Sequence, residues 1–300
     1  MSKVTSLHDA VSRHVKPGDT LFLSGAQHGE PSAAIHEIVR QGIDHLTLVS
    51  VLTESVSLLI GAGVLDKVLT GWLIQDEKRS SGIIRAKRLN KLPVFVEYSH
   101  FGISLALTAG HMGLPFLPAL TQIGSDIMKY NPNLATVTCP FTGRQVGAVR
   151  AVVPDVGIIH VQRCDAEGNA QKWGSLGVDR EGINASRTVI VTTERIVDAD
   201  VIRREPNLTV IPGFRVSAVV EAPFGAYPMH LAGCYREDVW NWRREIATPE
   251  AMEGYLQEFV YGLRDWSEYL EKREALKGAD HLDGLLVKNV VLSDPVPSGY

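Results

Sequence analysis

The chain has 300 residues, of which 45% are hydrophobic and 21% are charged, and this composition is typical of a globular protein and excludes disorder. That length allows one large α/β domain or two smaller ones, each with a buried core. The formal net charge is −4 and no run of Lys or Arg exceeds two residues, so neither a nucleic acid nor a membrane is expected as a partner.

The first half of the chain alternates between predicted helices and strands. Ser6 and Asp9 resemble a capping pair at the start of an amphipathic helix that Pro17 and Gly18 end. The elements predicted next are a strand at Thr20–Ser24, a helix from Pro31 to Gly42, strands at His45–Leu52, Val68–Leu73 and Val94–Tyr98, and a helix at Phe101–Met112.

The second half continues the same alternation. Asn131–Gln145 is rich in Pro, Asn and Thr, and it is the candidate for an excursion or a link to a sub-domain. Strands are predicted at Val156–Gln162, Thr188–Thr193 and Val216–Glu221, with a hairpin turn at Asp165–Asn169. A long helix begins at Thr248, and its apolar positions recur every three or four residues to Leu270, through Gly262.

This order of elements predicts an α/β fold with an open, mostly parallel sheet flanked by helices. The division expected is a single domain over residues 1–300, with an extended tail at 276–300 that holds one short strand candidate, Leu285–Leu292. The amino terminus has no apolar signal core, and the cysteines Cys139, Cys164 and Cys234 form no CxxC pair. We therefore expect a cytoplasmic protein without disulfides.

Several motifs that would define a reaction are missing from the sequence. It has no P-loop, no GxSxG elbow and no HExxH, so no metal site is expected. Gly61-Ala62-Gly63 lacks the third glycine of a dinucleotide fingerprint, and Leu58–Ile60 before it is predicted as helix rather than strand. A nicotinamide dehydrogenase is thus a disfavoured alternative.

The loops at the carboxyl ends of the predicted strands are more informative, because ligands of open α/β sheets bind there. The first loop begins with Ser24 and Gly25 and continues through Gln27 and His28 to Pro31. Its glycines allow backbone amides to approach a ligand closely, although a simple strand-to-helix connection explains them equally well.

Acidic and polar groups follow the next two strands. Glu54 is a candidate catalytic carboxylate, or an ordinary acid in a helix's first turn. Glu97 and His100 flank the start of another helix, where His100 is a candidate acid or base, and Ser99 is a ligand contact or only an N-cap.

Further along, two more stretches allow both a functional and a structural interpretation. Gly124 and Ser125 form a turn whose amides could meet a ligand. His160, inside a hydrophobic strand, is predicted to be a hydrogen-bonded core histidine. The aromatic and arginine-rich stretch 240–244 is a candidate surface or interface patch.

Taken together, these residues resemble the alpha subunits of family I CoA-transferases, of the glutaconate CoA-transferase kind. The matching segments are the opening MSKVTSLHDAVSRHVKPGDTLFLSG, EIVRQGIDHLTLVS, GLPFLP at 113–118, VPDVGIIHVQRCDAEGNAQKWG at 153–174, VIPGFRVSAVVEAPFGAYP at 210–228 and LRDWSEYL. They cover nearly the whole chain in one order, and the DAEGNA turn is typical of this superfamily.

The resemblance implies a NagB/RpiA/CoA-transferase-like fold and pairing with a similar beta-type chain, as α2β2 or larger. It also implies transfer of CoA from an acyl-CoA to a carboxylic acid through a glutamyl thioester, with the glutamate on the beta chain. The CoA thioester would be a substrate, and no cofactor would be bound permanently. The binding residues expected on this chain are Ser24, Gly25, Gln27, His28, Ser99, Gly124 and Ser125.

Compared with the family pattern, the chain departs at two places. Where the catalytic glutamate is expected the sequence has Val51, which is consistent with an alpha role, and Glu54 lies three residues further on. The first loop carries Gln27, His28 and Glu30 in place of the basic residues common in the family, which disfavours glutaconate as substrate.

A related branch provides the alternative. Ring-opening hydrolases that act on a cyclic diketone CoA ester of steroid degradation share the fold and the chain pairing. They use a glutamate of the alpha-type chain near the start of the helix that precedes the LPFLP segment, and Glu97 and His100 lie close to that position here.

Overall fold

Helices and strands alternate along the chain in a computed structural model that describes residues 2–72 and 80–288. The strands are β1 (Thr20–Leu23), β2 (Leu46–Ser50), β3 (Leu65–Thr70), β4 (Val94–Glu97), β5 (Phe116–Ala119), β6 (Leu134–Thr138), β7 (Gln145–Arg150), β8 (Val156–Val161), β9 (Arg163–Asp165), β10 (Ala170–Gln171), β11 (Thr188–Thr193), β12 (Ile196–Val197), β13 (Thr209–Ile211) and β14 (Ala218–Glu221). The strand predicted at Val68–Leu73 corresponds to β3, which begins and ends three residues before the predicted bounds. Leu73 lies outside the described residues.

The helices connect these strands and cover them. They are α1 (Leu7–His14), α2 (Ser32–Arg40), α3 (Val56–Ala62), α4 (Ser81–Arg88), α5 (His100–His111), α6 (Ile127–Tyr130), α7 (Asp179–Ala185), α8 (Ala199–Arg204), α9 (Val239–Glu245), α10 (Pro249–Tyr255), α11 (Trp266–Lys277) and α12 (His281–Leu285). The predicted cap of α1 is confirmed, because the Ser6 side chain accepts a hydrogen bond from the Asp9 amide at 3.1 Å. No described helix has the length and apolar character that crossing a bilayer requires.

Among the described strands, seven form a parallel sheet in the order β14-β11-β8-β1-β2-β3-β4. The chain builds outward from β1 to β4 and then returns to add β8, β11 and β14 on the other side. The direction of winding therefore reverses between β1 and β8. At such a switch point the loops leave on opposite sides of the sheet and open a crevice at the carboxyl ends of the strands.

Side chains of the central strands are buried on both faces of this sheet. Leu21, Leu23 and Ile158 lie in one core cluster, which α1 to α4 and α9 to α11 cover, while Phe22 and Ile159 lie in the other, with α5 and α7. Alternate residues of a strand point to opposite faces. This is why these strands read as continuous apolar runs, and the predicted open α/β sheet flanked by helices is confirmed.

Two smaller sheets lie beside the large one. The segment Asn131–Gln145, predicted as an excursion or link, contains β6 and ends at the first residue of β7. These two strands pair and form an antiparallel sheet with β5, in the order β5-β7-β6. The other small sheet has the order β12-β9-β10-β13. The turn predicted at Asp165–Asn169 joins β9 to β10, and the Asp165 carboxylate stabilises it by accepting from the amides of Glu167 and Asn169.

The single long helix predicted from Thr248 to Leu270 is wrong. The Thr248 side chain caps α10 as expected, but a π-helical turn follows and the helix ends at Gly262. A second helix, α11, starts because the Asp265 side chain accepts a hydrogen bond from the Glu268 amide at 3.0 Å. Both helices bury aromatic side chains in the same core, which is why the apolar spacing continues across the break.

Beyond α11 the chain is partly helical. The tail predicted at 276–300 contains the end of α11 and all of α12, so the strand candidate does not begin at Leu285, the last residue of α12. Leu286 forms an isolated bridge with Tyr235. The remainder of the predicted tail and strand, from residue 289 onward, lies outside the described residues.

Candidate active site

The loop after β1 lies at the switch point and is held by a buried ion pair. The Lys172 ammonium lies 2.6 Å from the Asp179 carboxylate, and both side chains are at most 1% exposed. Asp179 also accepts a hydrogen bond from the Gly25 amide at 2.7 Å, while Lys172 donates to the Gly29 carbonyl at 3.2 Å. Burial raises the pKa of Asp179, which Lys172 opposes. The pair therefore fixes both ends of the loop.

His28 is fixed in the same loop by both of its ring nitrogens. Nδ1 lies 2.9 Å from the Ser175 carbonyl and Nε2 accepts from the Ala232 amide at 3.0 Å, so the ring is the neutral tautomer with the proton on Nδ1. Burial, together with the nearby Lys172 charge, lowers the pKa of His28 to about 4. The side chain is 1% exposed and supports the loop, with both nitrogens already engaged.

Glu30 connects the first loop to the second, and sequence reasoning did not propose a role for its side chain. Its fully buried carboxylate accepts hydrogen bonds from the Glu54 amide at 2.9 Å and from the Ser55 amide at 2.8 Å. The Ser55 hydroxyl donates a third, at 2.7 Å. Burial nevertheless raises the pKa of Glu30 to about 7. The only sequence signal was an acid directly before the helix proline, which is too common to indicate burial.

The other residues predicted in these two loops differ in exposure. Gln27 is exposed, and its main-chain amide donates to the Leu52 carbonyl at 2.9 Å. Ser24 is buried, and its hydroxyl has no hydrogen-bond partner among the described residues. Glu54 pairs with Arg243, whose guanidinium lies 4.6 Å from the centre of the Trp240 ring. The negative charge of Glu54 is thus paired with an arginine of the stretch 240–244.

The residues predicted after β4 gather with the turn after β5. Ser99 caps α5 as one alternative predicted, because its hydroxyl accepts from the Gly102 amide at 2.9 Å, and its own amide donates to the Gln122 side chain. The Ser125 hydroxyl donates to the Gln122 carbonyl at 2.6 Å, and Gly124 is exposed at a positive φ of 81°. Ser99 and Ser125 therefore both contact Gln122, which the sequence did not single out.

Glu97 and His100 are both exposed at the carboxyl end of β4. The main-chain carbonyl of Glu97 accepts from the Asn131 amide group at 2.7 Å, while its side chain lines a cavity of about 540 Å³. The backbone of His100 lies against Gly71 after β3, where a Cβ would come within 2.9 Å of it. Glu97 is therefore an exposed acidic residue beside the cavity.

Two other predictions concern residues away from these loops. His160 is a buried, hydrogen-bonded histidine as predicted, with Nδ1 2.9 Å from the Thr192 hydroxyl and Nε2 2.7 Å from the Glu194 carboxylate. Leu58–Ile60 is helical, as predicted. Gly61 therefore lies in α3, and no dinucleotide loop follows a strand at this place. No group of three or more His, Cys, Asp or Glu suited to a metal occurs in the part of the chain that the structure describes.

A parallel α/β sheet with a glycine-containing loop at its switch point, and carboxylates at neighbouring strand ends, is typical of a ligand-binding α/β protein. Residues 4–222 match the model of the coenzyme A transferase family. The chain belongs to this family, as the sequence resemblance predicted.

The relatives agree with this assignment. The chain is 37% identical to the A subunit of the 3-oxoadipate CoA-transferase of Pseudomonas knackmussii, over 91% of this chain and 98% of that one. It is 32% identical to the A subunit of the glutaconate CoA-transferase of Acidaminococcus fermentans, over 92% and 93%. A crystal structure of the latter enzyme matches with a TM-score of 0.86, covering 95% of this chain and 96% of that chain. The cholesterol ring-cleaving hydrolase IpdA subunit of Mycobacterium tuberculosis is 27% identical, over 86% and 92%.

Replacing Lys172 with Met should strongly destabilise the chain. The Asp179 carboxylate would remain buried without its ion-pair partner, and breaking one side of a buried pair costs about 3–5 kcal/mol. The free energy of unfolding in urea measures the loss. Lys129→Met is the matched control, because its pair with Asp126 has the same 2.6 Å separation but is exposed, and it should show no measurable change. Equal stability of the two variants would contradict the role given to the buried pair.

Glu30 should make stability depend on pH. The folded chain keeps the Glu30 proton up to about pH 7, whereas the ordinary glutamate pKa is 4.5, so its stabilising contribution is complete below pH 4.5 and is lost as the pH rises through 7. The unfolding free energy of the wild type, relative to Glu30→Gln, should therefore fall by roughly 3 kcal/mol between pH 4.5 and pH 8. Exposed Glu271→Gln controls for the loss of a carboxylate. A difference that stays constant over this range would disprove the assignment.

Proposed function

We propose that this chain is the alpha-type subunit of a heteromeric CoA-transferase, which moves CoA between an acyl-CoA and a carboxylic acid. The observation that carries the proposal is the 37% identity, over 98% of its length, to a relative named as the A subunit of a CoA-transferase. The family match and the structural match to the glutaconate enzyme support the same class of reaction.

The chemistry proposed is covalent catalysis by a carboxylate. A glutamate oxygen attacks the thioester carbonyl, the carbon–sulfur bond breaks, and CoA leaves as a thiolate from an acyl-glutamyl anhydride. The thiolate then attacks the glutamyl carbonyl, releases the first carboxylic acid as its carboxylate and leaves a glutamyl-CoA thioester. The acceptor carboxylate reverses these two steps. Backbone amides would stabilise the negative charge that develops on the carbonyl oxygen.

The nucleophile is proposed to lie on a partner subunit. At the position where the family's glutamate is expected this chain has Val51, which is 6% exposed. Of the carboxylates nearby, Glu30 is buried and accepts three hydrogen bonds, and Glu54 pairs with Arg243. These two carboxylates hold the loops together. This favours a supporting role for this chain and a reactive carboxylate on the partner subunit.

Exposed apolar side chains support the need for a partner. Several lie on or beside the β5-β7-β6 sheet, where Phe101 is 59% exposed, Leu120 59%, Tyr130 82% and Phe141 94%. A concentration of large apolar residues at the surface marks an interaction site. We propose that the partner is a beta-type subunit, in an α2β2 or larger assembly.

The alternative is the alpha-type subunit of a ring-opening hydrolase for a cyclic diketone CoA ester. One observation favours it: the exposed Glu97 carboxylate lines the cavity, close to where that branch places its glutamate. The 27% identity to the cholesterol ring-cleaving hydrolase subunit is lower than the identity to either transferase subunit. In this alternative, Glu97→Gln or His100→Gln would abolish carbon–carbon cleavage.

Trapping the intermediate tests the proposal. The chain is co-expressed with its beta-type partner, incubated with an acyl-CoA and treated with sodium borohydride, which reduces a glutamyl thioester to an alcohol. Mass spectrometry of both chains should locate the reduced glutamate on the partner, with Glu54 and Glu97 unchanged. The same treatment without acyl-CoA is the control.

The result that would contradict the proposal is equally specific. A reduced Glu54 or Glu97 would place the nucleophile on this chain. Absence of CoA exchange between any acyl-CoA and carboxylic acid, together with water-dependent ring opening that requires Glu97, would establish the hydrolase instead.

A further inference from the structure

The cavity beside Glu97 has an apolar, partly aromatic wall. It extends from the carboxyl ends of β3 and β4 to α4 and to Leu92, which precedes β4, and it has a volume of about 540 Å³. Its apolar and aromatic lining residues are Trp72, Ile83, Leu92, Phe95, Tyr98 and Ile127. Cavities of roughly 300–1,000 Å³ bind ligands of drug size, and a wall of this kind favours an apolar group. A glutaryl group would fill only a small part of it.

The charged groups at the cavity do not favour a second carboxylate. Among the described residues that line it, the charged ones are Lys87 and Glu97, one positive and one negative, so these residues add no net charge. A dicarboxylic acyl group would therefore place its distal carboxylate against an apolar wall without a net positive charge, which is costly.

The loops after β1 and β2 do not supply that positive charge either. Lys172 is buried against Asp179, and Arg243 is paired with Glu54. His28 has both ring nitrogens engaged within the loop. These basic groups beside the loops are thus already used in holding the structure together.

We infer that this cavity binds the acyl group of the thioester, and that the acyl group is bulky and uncharged, of the medium-chain or aromatic class. The inference rests on the proposed transferase function and gives it a substrate class. It separates this chain from the relatives whose names refer to 3-oxoadipate and glutaconate, both of which are dicarboxylates.

A comparison of CoA donors tests the inference. Octanoyl-CoA, phenylacetyl-CoA and glutaryl-CoA are supplied in turn to the complex with its beta-type partner, with one acceptor acid. The value of kcat/KM for octanoyl-CoA or phenylacetyl-CoA should exceed that for glutaryl-CoA at least about tenfold. A preference for glutaryl-CoA overturns the inference but leaves the transferase function intact.

Binding measurements separate failure of the inference from failure of the proposed function. If none of the donors supports transfer with any of several carboxylic acids, the function fails, and the Kd values of the same thioesters for the complex, measured by calorimetry, still decide the cavity assignment. Tighter binding of octanoyl-CoA than of glutaryl-CoA supports it, and equal or weaker binding overturns it.

Narrowing the cavity by substitution provides a second test of the inference. Leu92 lines the cavity and is 40% exposed, so Leu92→Trp narrows the cavity with little disturbance of the core. It should lower kcat/KM for octanoyl-CoA about tenfold and change that for glutaryl-CoA by less than about twofold. Leu89→Trp is the matched control, because Leu89 is 46% exposed and is not among the described residues that line the cavity.

A second variant allows this test to be completed if one of the two variants does not fold. Ile127→Trp narrows the cavity from α6, so that a folding defect of either variant, detected by circular dichroism, does not end the test. Equal effects of a folded variant on octanoyl-CoA and glutaryl-CoA would overturn the assignment of the cavity to the acyl group.

Discussion

The Lys172–Asp179 ion pair is the interaction on which the rest of the site depends. Two charges removed from water are stable only when their attraction is supported by further hydrogen bonds. Here the Gly25 amide and the Gly29 carbonyl provide those bonds, so the same contacts that stabilise the pair fix the loop after β1 at the switch point. Glu30, at the end of that loop, then binds the start of α3. The loops after β1 and β2 consequently form one rigid unit.

Because these loops are rigid, the groups that support them and the groups that are exposed in the site are different residues. The buried charged groups at the switch point, Lys172, Asp179 and Glu30, support the loops, whereas Glu97 is exposed further along the strand ends, beside the cavity. The amides of Gly25, Gln27 and Gly29 also donate within the chain, to Asp179 and to main-chain carbonyls. Under the proposed function, Val51 at the position expected for the nucleophile is consistent with a reactive carboxylate on a second chain.

The sequence predicted the parts of the structure that follow from local patterns. β8 is buried along its whole length, so its apolar run indicated a strand, and the Asp165 turn is made by hydrogen bonds within five residues. The role of the Lys172–Asp179 pair in holding the loop could not be predicted, because Asp179 contacts Gly25 across 154 residues and Lys172 contacts Gly29 across 143. β6 was missed because it is mostly exposed and lies in a stretch rich in Pro, Asn and Thr, which favours a loop. The helix break before Asp265 was missed because the apolar spacing continues through it.

Fold and substrate are determined by different residues in this family. The parallel sheet and its switch point require apolar strands, and they are shared with the glutaconate enzyme at a TM-score of 0.86. Function depends on the side chains at the strand ends, which the sheet does not constrain. Relatives of this chain are named as transferase and as hydrolase subunits, so the family assignment leaves the acyl group open. Beside the loops at the strand ends, Arg243 of α9 is already paired with Glu54, and burial lowers the pKa of His28 to about 4. Charge beside these loops, rather than similarity along the strands, is therefore the feature from which we infer an uncharged acyl group.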